Sequence, residues 1–185
     1  IANGLEKGIV DGTGLQQPCG MRRDPNSALD PQEGYALLPA VALTEITPAT
    51  YGELIADLTQ APNGLNRSVD EVLLVVNPVD YFTKIMPSTV VRKPDGTYSN
   101  DVFPFPTRVV KSAFVPNGEA VLGIGRRYFV GLGTSKGGRI EYSDDYRFLE
   151  DERVYLTKLY GNGKPLDSTS FKRLDISELK PTIAR

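Results

Sequence analysis

The sequence predicts a mixed α+β protein in which a small α/β unit is followed by a β-rich region. The first observation behind this prediction is the apolar run Val72–Val76, which has a helical pattern on each side of it. The second is the series of short β-branched and aromatic runs after Pro87, which are separated by glycine and proline turns. A chain of 185 residues, 40% of them hydrophobic, is long enough to bury a core around these elements.

Residues 1–46 are predicted to form an extended, irregular segment, because turn signals such as Asp11-Gly12 and Asp30-Pro31 recur in it. The composition then changes at Thr47-Pro48, where a threonine N-cap precedes a proline at the first helical position. The helix predicted from this start ends at Pro62-Asn63-Gly64. Its apolar positions, at helical spacing, are Tyr51, Leu54, Ile55 and Leu58.

The run Val72–Val76 is predicted to be a buried central strand, since all five of its residues are apolar. Asn77-Pro78 repeats the cap-and-proline start of a helix directly after it. We expect Tyr81, Phe82 and Ile85 to be the core contacts of this second helix. The side chains of both helices should therefore pack around the strand.

The remaining sequence is typical of β-structure. Pro94-Asp95-Gly96 and Lys136-Gly137-Gly138 are predicted turns. The region 153–176 is predicted to be a long hairpin with its turn at 160–164, because apolar and polar residues alternate on each side of that turn. The predicted strands before the hairpin cover residues 108–115, 120–123, 128–130 and 139–142.

Composition argues against several classes of function. The chain has no histidine, so it lacks the usual general base near neutral pH and the usual metal ligand. Its 21 basic and 23 acidic residues are mixed along the chain, unlike those of a protein whose main task is to bind nucleic acid. No apolar run approaches the roughly 18 residues of a membrane span. We therefore expect no cofactor, no metal and no membrane partner.

Motifs that suggest nucleotide or thiol chemistry have simpler structural interpretations. Gly12-Thr13-Gly14 and Ser135-Lys136-Gly137-Gly138 lack the ending of a phosphate-binding loop and are predicted to be turns. Gly123-Ile124-Gly125 lies in β-type sequence and is predicted to be a strand or bulge. Cys19 has no histidine to activate it, so we expect a small, partly buried thiol.

An acidic cluster is the strongest candidate for an enzymatic site. Paired carboxylates such as Asp144 and Glu150 can hydrolyse glycosides or hold hard cations. Because Arg147 and Arg153 are interleaved with the acidic residues, a solvated or inter-subunit salt-bridged segment is favoured over a carboxylate-based hydrolase. The cluster consists of Asp144, Asp145, Glu150, Asp151 and Glu152.

The stretch Phe103-Pro104-Phe105-Pro106 is stiff and apolar. It is predicted either to be a loop that packs on its own core or to contact a partner subunit. The sequence does not separate these two interpretations.

Several motifs follow one another in an order that is similar to the latter half of tailed-bacteriophage major capsid proteins. They are Asn3-Gly4, Asp11-Gly12-Thr13-Gly14, Gln17-Pro18, Gly20-Met21, the strand that closes in Asn77-Pro78, the turn at 116–120, the acidic-aromatic segment 142–146 and the closing hairpin. The resemblance spans nearly the whole chain. It implies the phage capsid or herpesvirus-floor type of fold, with an axis-facing α/β domain and a peripheral β-rich lobe that carries a long hairpin.

The resemblance also implies a function and a division of the chain. Residues 1–46 would follow a spine helix in the peripheral lobe, residues 47–148 would form the axial domain, and residues 149–185 would form the peripheral hairpin. The chain would be a structural subunit of a phage or prophage virion, made in the bacterial host cytoplasm. Copies of it would assemble into the pentamers and hexamers of an icosahedral shell.

The resemblance implies several partners besides copies of the chain. These are scaffolding, portal or decoration proteins and packaged DNA, which would be bound without sequence specificity. Within the axial domain, the candidate subunit-contact residues are Phe103, Phe105, Asn117 and Gly118.

The start of the chain departs from the family pattern. The family's N-terminal arm, extended loop and most of its spine helix would lie before Ile1, so we expect the chain to be the C-terminal part of a longer protein. The covalent Lys–Asn link of some family members is not carried over, because no asparagine occurs between Tyr146 and Tyr160. The alternatives are another shell or tail component, such as an encapsulin-like protein, and the carboxylate-based hydrolase.

Overall fold

A mixed five-stranded sheet lies at the centre of the protein, in a computed structural model that describes residues 2–133, 139–147, 152–158 and 161–180. From one edge to the other its strands are β1 (Ala40–Ala42), β11 (Phe171–Asp175), β6 (Glu119–Gly123), β2 (Val72–Val76) and β5 (Thr107–Lys111). Four of these strands run in one direction, and β6 runs against them. The mixed α+β class predicted from the sequence is confirmed.

Strand β2 is buried on both faces, as the sequence predicts. Its alternate residues Val72, Leu74 and Val76 belong to one hydrophobic cluster. Val75 belongs to a second cluster on the opposite face. Since successive side chains of a strand point to opposite faces, two-sided burial requires the continuous apolar run seen here.

Helix α2 (Pro48–Thr59) begins where the sequence predicts. The Thr47 hydroxyl accepts a hydrogen bond from the Thr50 amide at 3.2 Å, and the Thr50 hydroxyl accepts one from the Thr47 amide at 3.1 Å. These two bonds satisfy amides that a helix start leaves without partners. The apolar face packs on the sheet through three buried side chains, Tyr51, Leu54 and Leu58.

The helix after β2 also begins as predicted, but one of its core contacts differs. The Asn77 side chain accepts from the Val79 amide at 3.0 Å and caps α3 (Pro78–Asp80), which continues through a π-helical turn into α4 (Met86–Thr89). Tyr81 and Ile85 are buried, whereas Phe82 is 55% exposed, so the prediction that Phe82 packs in the core is wrong. Tyr81 and Ile85 are four residues apart and therefore share one face of the helix. Phe82 is rotated by about 100° from Tyr81 around the helix axis, so its side chain points away from that face.

The first segment of the chain is more regular than the sequence predicts. Helix α1 (Ala2–Asp11) occupies its start, so the prediction of an irregular segment is wrong for these residues. The helix forms because Val10 is buried in the second cluster and Ile9 packs against it. The Gly12 amide bonds to the Gly8 carbonyl at 3.0 Å at the end of the helix. Residues 12–39 contain only turns and isolated bridges and agree with the prediction, whereas residues 40–42 form β1 and do not.

Two small β-elements flank the central sheet. The turn predicted at Pro94-Asp95-Gly96 joins β3 (Val91–Arg92) to β4 (Tyr98–Ser99), and Gly96 adopts φ +84°, which favours glycine. A second ribbon pairs β7 (Tyr128–Leu132) with β10 (Gly161–Pro165).

The long hairpin differs from the one predicted. Its strands are β8 (Arg139–Arg147) and β9 (Glu152–Lys158), so the predicted pairing within residues 153–176 is wrong. The turn predicted at 160–164 is wrong as well, because residues 161–165 form β10. Strand β11, the expected return strand, lies instead between β1 and β6. The physical reason is burial, because Phe171 and Leu174 enter the core clusters there, and an isolated two-stranded hairpin offers no such core. The turn predicted at 136–138 lies outside the described residues.

A buried ion cluster around Asp167 lies just before the start of β11. The carboxylate accepts from Arg67 Nη1 at 3.0 Å, from Arg127 Nη2 at 2.8 Å and from Ser170 Oγ at 2.7 Å. Burial by itself would raise the pKa of Asp167. The hydrogen bonds from Ser170, Arg127, Arg67 and Thr169 outweigh it and hold the pKa well below its usual range.

Replacing Leu74 by aspartate should abolish soluble folding. Leu74 is 2% exposed, and an unpaired carboxylate at that place destabilises the fold by more than about 4 kcal/mol. The matched control is Leu65→Asp, the same change at a leucine that is 67% exposed. Thermal unfolding and solubility of the two variants decide the matter. A soluble Leu74→Asp variant with an unchanged melting temperature would contradict the burial of β2.

The Asp167 cluster should make stability depend on pH at the acid end. The folded pKa is lower than the unfolded value of about 3.9, so ionised Asp167 contributes stability that is fully present above about pH 5 and falls as pH drops. Urea unfolding of the wild type and Asp167→Asn at pH 7, 5 and 3 measures this. We expect the difference in unfolding free energy to shrink between pH 5 and 3. A constant difference would show that the charge of Asp167 does not stabilise the fold.

Candidate subunit-contact surface

The four residues predicted to contact other subunits lie at opposite ends of β2. The Val72 amide, at the start of the strand, donates to the Pro106 carbonyl at 3.1 Å, so Phe105 lies at that end. Ala120, just after the Asn117-Gly118 turn, pairs with Val76 at the other end. The four residues therefore form two separate candidate surfaces.

The Phe103 and Phe105 side chains are partly buried against the protein's own core. The ring of Phe103 lies 5.8 Å from that of Tyr51, a distance typical of packed aromatic pairs. The Tyr51 hydroxyl in turn lies 2.7 Å from the Thr107 hydroxyl. This geometry supports the interpretation of a loop that packs on its own core, and it leaves only part of each ring for a partner.

The Asn117-Gly118 turn is held in place by hydrogen bonds on both sides. The Gly118 amide donates to Asp80 Oδ2 at 2.7 Å, and the Gly118 carbonyl accepts from the Ile176 amide at 2.8 Å. Gly118 adopts φ +82°, and a Cβ there would lie 2.7 Å from the Ser177 hydroxyl. Glycine is therefore required by the backbone, while Asn117 remains exposed to solvent.

An exposed apolar patch lies at the same end of β2 as the Asn117-Gly118 turn. The sequence patterns described above did not predict it. Val79 and Phe82, one helical turn apart, are 61% and 55% exposed. The Lys111 ammonium lies 4.1 Å from the centre of the Tyr81 ring and 5.5 Å from that of Phe82. The ammonium is attracted to the faces of the buried Tyr81 ring and the exposed Phe82 ring. We call Val79, Phe82 and Lys111 the helix-face patch.

The helix-face patch and the Asn117-Gly118 turn belong to one rigid surface. Asn77 Nδ2 donates to the Val115 carbonyl at 2.9 Å, and Asp80 binds the Gly118 amide. Asp80 also forms an ion pair with Lys84 at 3.2 Å. Helix and turn are therefore fixed relative to each other. A preordered apolar surface is suited to binding another protein, because little conformational entropy is lost on association.

One signal in the sequence could have found this patch. Tyr81 and Ile85 are four residues apart and define the buried face of the helix, while Val79 and Phe82 are three apart on another face. Assigning Phe82 to the same face as Tyr81 hid the exposed pair.

The other candidate residues lie partly within and partly outside the described part of the chain. Gly14 has φ +86° in a bend, consistent with the predicted turn. The backbones of Asp144 and Asp145 lie in β8, whereas Glu150 and Asp151 lie outside the described residues. Within those residues no group of three or more acidic or cysteine side chains is placed to hold a metal. No helix in the described part of the chain is both long and apolar enough to cross a membrane.

Cys19 is more deeply buried than the sequence suggests. It is 2% exposed, and its amide donates to the Gly163 carbonyl at 2.8 Å. Burial raises the pKa of the Cys19 thiol to about 11, although the nearby charges of Lys164 and Arg23 act in the opposite direction. The thiolate is the reactive form of cysteine, so Cys19 is chemically inert in the folded protein.

Thiol labelling checks this assignment. At pH 8 the raised pKa reduces the thiolate population about 100-fold relative to an unperturbed cysteine, and burial slows the reaction further. We expect native protein to react with an alkylating reagent at least about 100-fold more slowly than the same protein in denaturant. Equal rates in both conditions would place Cys19 at the surface.

The sequence matches no protein-family model and no curated protein. The fold is similar to capsid subunits in solved structures of a GTA particle. The capsid of the empty particle, computed with C5 symmetry, has a TM-score of 0.58 and 13% identity, with 95% of this chain and 62% of that chain covered. The capsid of the native particle has a TM-score of 0.57 and 12% identity, with 95% and 61% covered. The SrpI encapsulin complex from Synechococcus elongatus has a TM-score of 0.45 and 18% identity, with 85% and 60% covered.

The chain thus spans about three-fifths of the length of the GTA capsid subunits, and nearly all of it aligns with them. At these sequence identities the likeness concerns the fold. The chain has a mixed α+β fold that is similar to the fold of the GTA capsid subunits.

Proposed function

We propose that this chain is a structural subunit of a phage or prophage icosahedral capsid, which assembles into pentamers and hexamers and encloses DNA. The observation that carries the proposal is the fold, which aligns over 95% of the chain with the capsid of a GTA particle. In this proposal the chain is the C-terminal part of a longer subunit. The virion is its place of action, and the bacterial cytoplasm is where it is made.

We propose the division of the chain that the resemblance in sequence implies. Residues 47–148 would form the axial domain, and residues 1–46 and 149–185 would form the peripheral region. Strand β11 belongs to the last segment and pairs with β6 of the axial domain. The two regions would therefore be joined through the central sheet as well as through the chain.

The proposed contact surface between subunits is the helix-face patch together with Asn117 and Gly118. Exposed apolar side chains, one of them aromatic, and a turn held by hydrogen bonds support this assignment. Phe103 and Phe105 are proposed as secondary contacts, since part of each ring packs on its own core. The partners would be copies of the chain, with scaffolding, portal or decoration proteins as further candidates and DNA bound without sequence specificity.

Catalysis forms no part of the proposed function, and no cofactor is proposed. The complete lack of histidine removes the commonest general base, and the single cysteine is buried with a raised pKa. The mechanism would be geometric: the same surface is repeated around closed rings, and many weak contacts act together.

Assembly of the complete protein tests the proposal. We expect the complete chain to form closed particles in electron microscopy and light scattering, and residues 1–185 alone to be monomers or loose rings at micromolar concentration. Phe82→Asp should raise the concentration needed for assembly about 10-fold or more, the effect of losing an interfacial anchor. Its melting temperature should stay close to that of the wild type, because Phe82 is 55% exposed.

The matched control is Phe82→Leu, which keeps an apolar side chain at the same place and should assemble like the wild type. If the complete wild-type chain stays monomeric under all assembly conditions, the result contradicts the proposal that the chain is a shell subunit. If the wild type assembles and Phe82→Asp assembles equally well, only the helix-face patch is excluded as a contact.

A further inference from the structure

The ribbon formed by β7 and β10 leaves the core and returns to it at one place. Tyr128, at the start of β7, pairs with Pro165 at the end of β10. One residue closer to the core, the Leu166 amide donates to the Arg127 carbonyl at 2.9 Å. The outgoing and returning chains are therefore side by side where they meet the central sheet. We call residues 127 and 166–170 the root of the ribbon.

A salt bridge joins the two chains at this root. Arg127 Nη2 lies 2.8 Å from Asp167 Oδ2, and Arg127 Nε donates to the same oxygen at 3.1 Å. Arg127 Nε also lies within 3.1 Å of the Ser170 hydroxyl. Arg127 directly precedes β7, and Asp167 follows β10 by two residues. The ion pair therefore links the two bases of one ribbon.

The other arginine of the cluster attaches the root to the core. Arg67 Nη1 lies 3.0 Å from Asp167 Oδ2, and Arg67 Nη2 donates to the Thr169 carbonyl at 2.7 Å. Arg67 Nε donates to the Leu58 carbonyl, near the end of α2, at 2.7 Å. The Arg67 side chain is also the more buried of the two arginines, at 12% exposed against 37% for Arg127. The two arginines thus have different tasks: Arg67 joins Asp167 to α2, and Arg127 joins Asp167 to the ribbon.

Beyond its root the ribbon has little packing of its own. Phe129, Val130 and Leu132 are exposed on β7, and three of the five residues of β10 are exposed. A two-stranded ribbon without a hydrophobic core does not hold a direction by itself. Two further attachments bind the ribbon to the chain at Cys19. The Tyr128 hydroxyl donates to the Cys19 carbonyl at 2.9 Å, and the Cys19 amide donates to the Gly163 carbonyl, in the middle of β10, at 2.8 Å. The direction of the ribbon is therefore determined by its root together with these two bonds.

We propose that the Arg127–Asp167 pair is the joint that fixes this ribbon to the central domain. Arg127 is a positioning residue in this proposal. Loss of the pair loosens the ribbon and leaves the five-stranded sheet folded, because Asp167 keeps its bonds to Arg67, Thr169 and Ser170. Loss of Arg67 acts differently, since Arg67 also bonds the end of α2 and therefore stabilises the core. The inference holds whether or not the chain assembles into a shell.

Hydrogen exchange measured by mass spectrometry on the folded chain tests the joint. In Arg127→Gln we expect the amide hydrogen-exchange rate of the β7 and β10 peptides to rise about 10-fold. The exchange rates of β2 and β6 should stay unchanged. Arg126→Gln, the same change at the exposed neighbouring residue, is the matched control and should leave the ribbon as in the wild type. In Arg67→Gln exchange should rise in α2 as well as at the root.

Arg127→Lys serves as a second variant, which keeps the charge and loses the two-pronged geometry of the guanidinium. It should fold like the wild type and loosen the ribbon by a smaller factor than Arg127→Gln. Unchanged ribbon protection in Arg127→Gln would overturn the proposal. A rise of equal size in the ribbon and in β2 would overturn it too, because the cluster would then stabilise one cooperative unit rather than a joint.

Discussion

Burial of β2 on both faces is the constraint on which the rest of the fold depends. A strand with apolar side chains on each face needs two separate covers. On one face, α2 and the helix that follows Asn77 supply Leu58, Tyr81 and Ile85. On the other face, α1 and the irregular segment supply Val10, Met21 and Leu38. Each fully buried side chain of this size contributes about 1.5–3 kcal/mol relative to exposure, so both covers are needed.

Buried polar groups then fix how these covers are placed. Arg22 is 5% exposed and bonds both Asp11, at the end of α1, and Glu119, at the start of β6. Ser112, just after β5, donates to Glu6 of α1 at 2.6 Å. Hydrophobic contacts have no direction of their own, whereas such bonds hold only in one arrangement. Removing one member of a buried pair leaves the other charge uncompensated, so these contacts determine which packing is stable.

The function proposed for the chain follows from surfaces rather than from a reactive site. The same capped helix that covers β2 with Tyr81 and Ile85 presents Val79 and Phe82 to solvent. Asn77 and Asp80 bind the loop at residues 115–118, so the surface is as rigid as the sheet behind it. A protein that must repeat one contact many times benefits from such rigidity, because the geometry of each copy is the same.

Local signals in the sequence determined the elements next to β2. The threonine and asparagine caps, each followed by proline, act within one helical turn. A run of five apolar residues indicates a buried strand. These signals placed α2, β2, the following helix and the core residues Tyr51, Leu54, Leu58 and Ile85. Asn117 and Gly118 could be proposed as surface residues from their turn motif alone. These elements depend on neighbours close in sequence and were therefore predictable.

Only the tertiary structure decided the rest, because the partners are far apart in the chain. The return of β11 into the central sheet depends on pairing with β6, about 50 residues earlier, and a hairpin with its own neighbours is an equally good match to the sequence. Asp167 binds Arg67 across 100 residues and Arg127 across 40, and any of the chain's 21 basic residues could have been its partner. Burial and long-range charge pairing are properties of the folded chain, and local sequence patterns do not specify them.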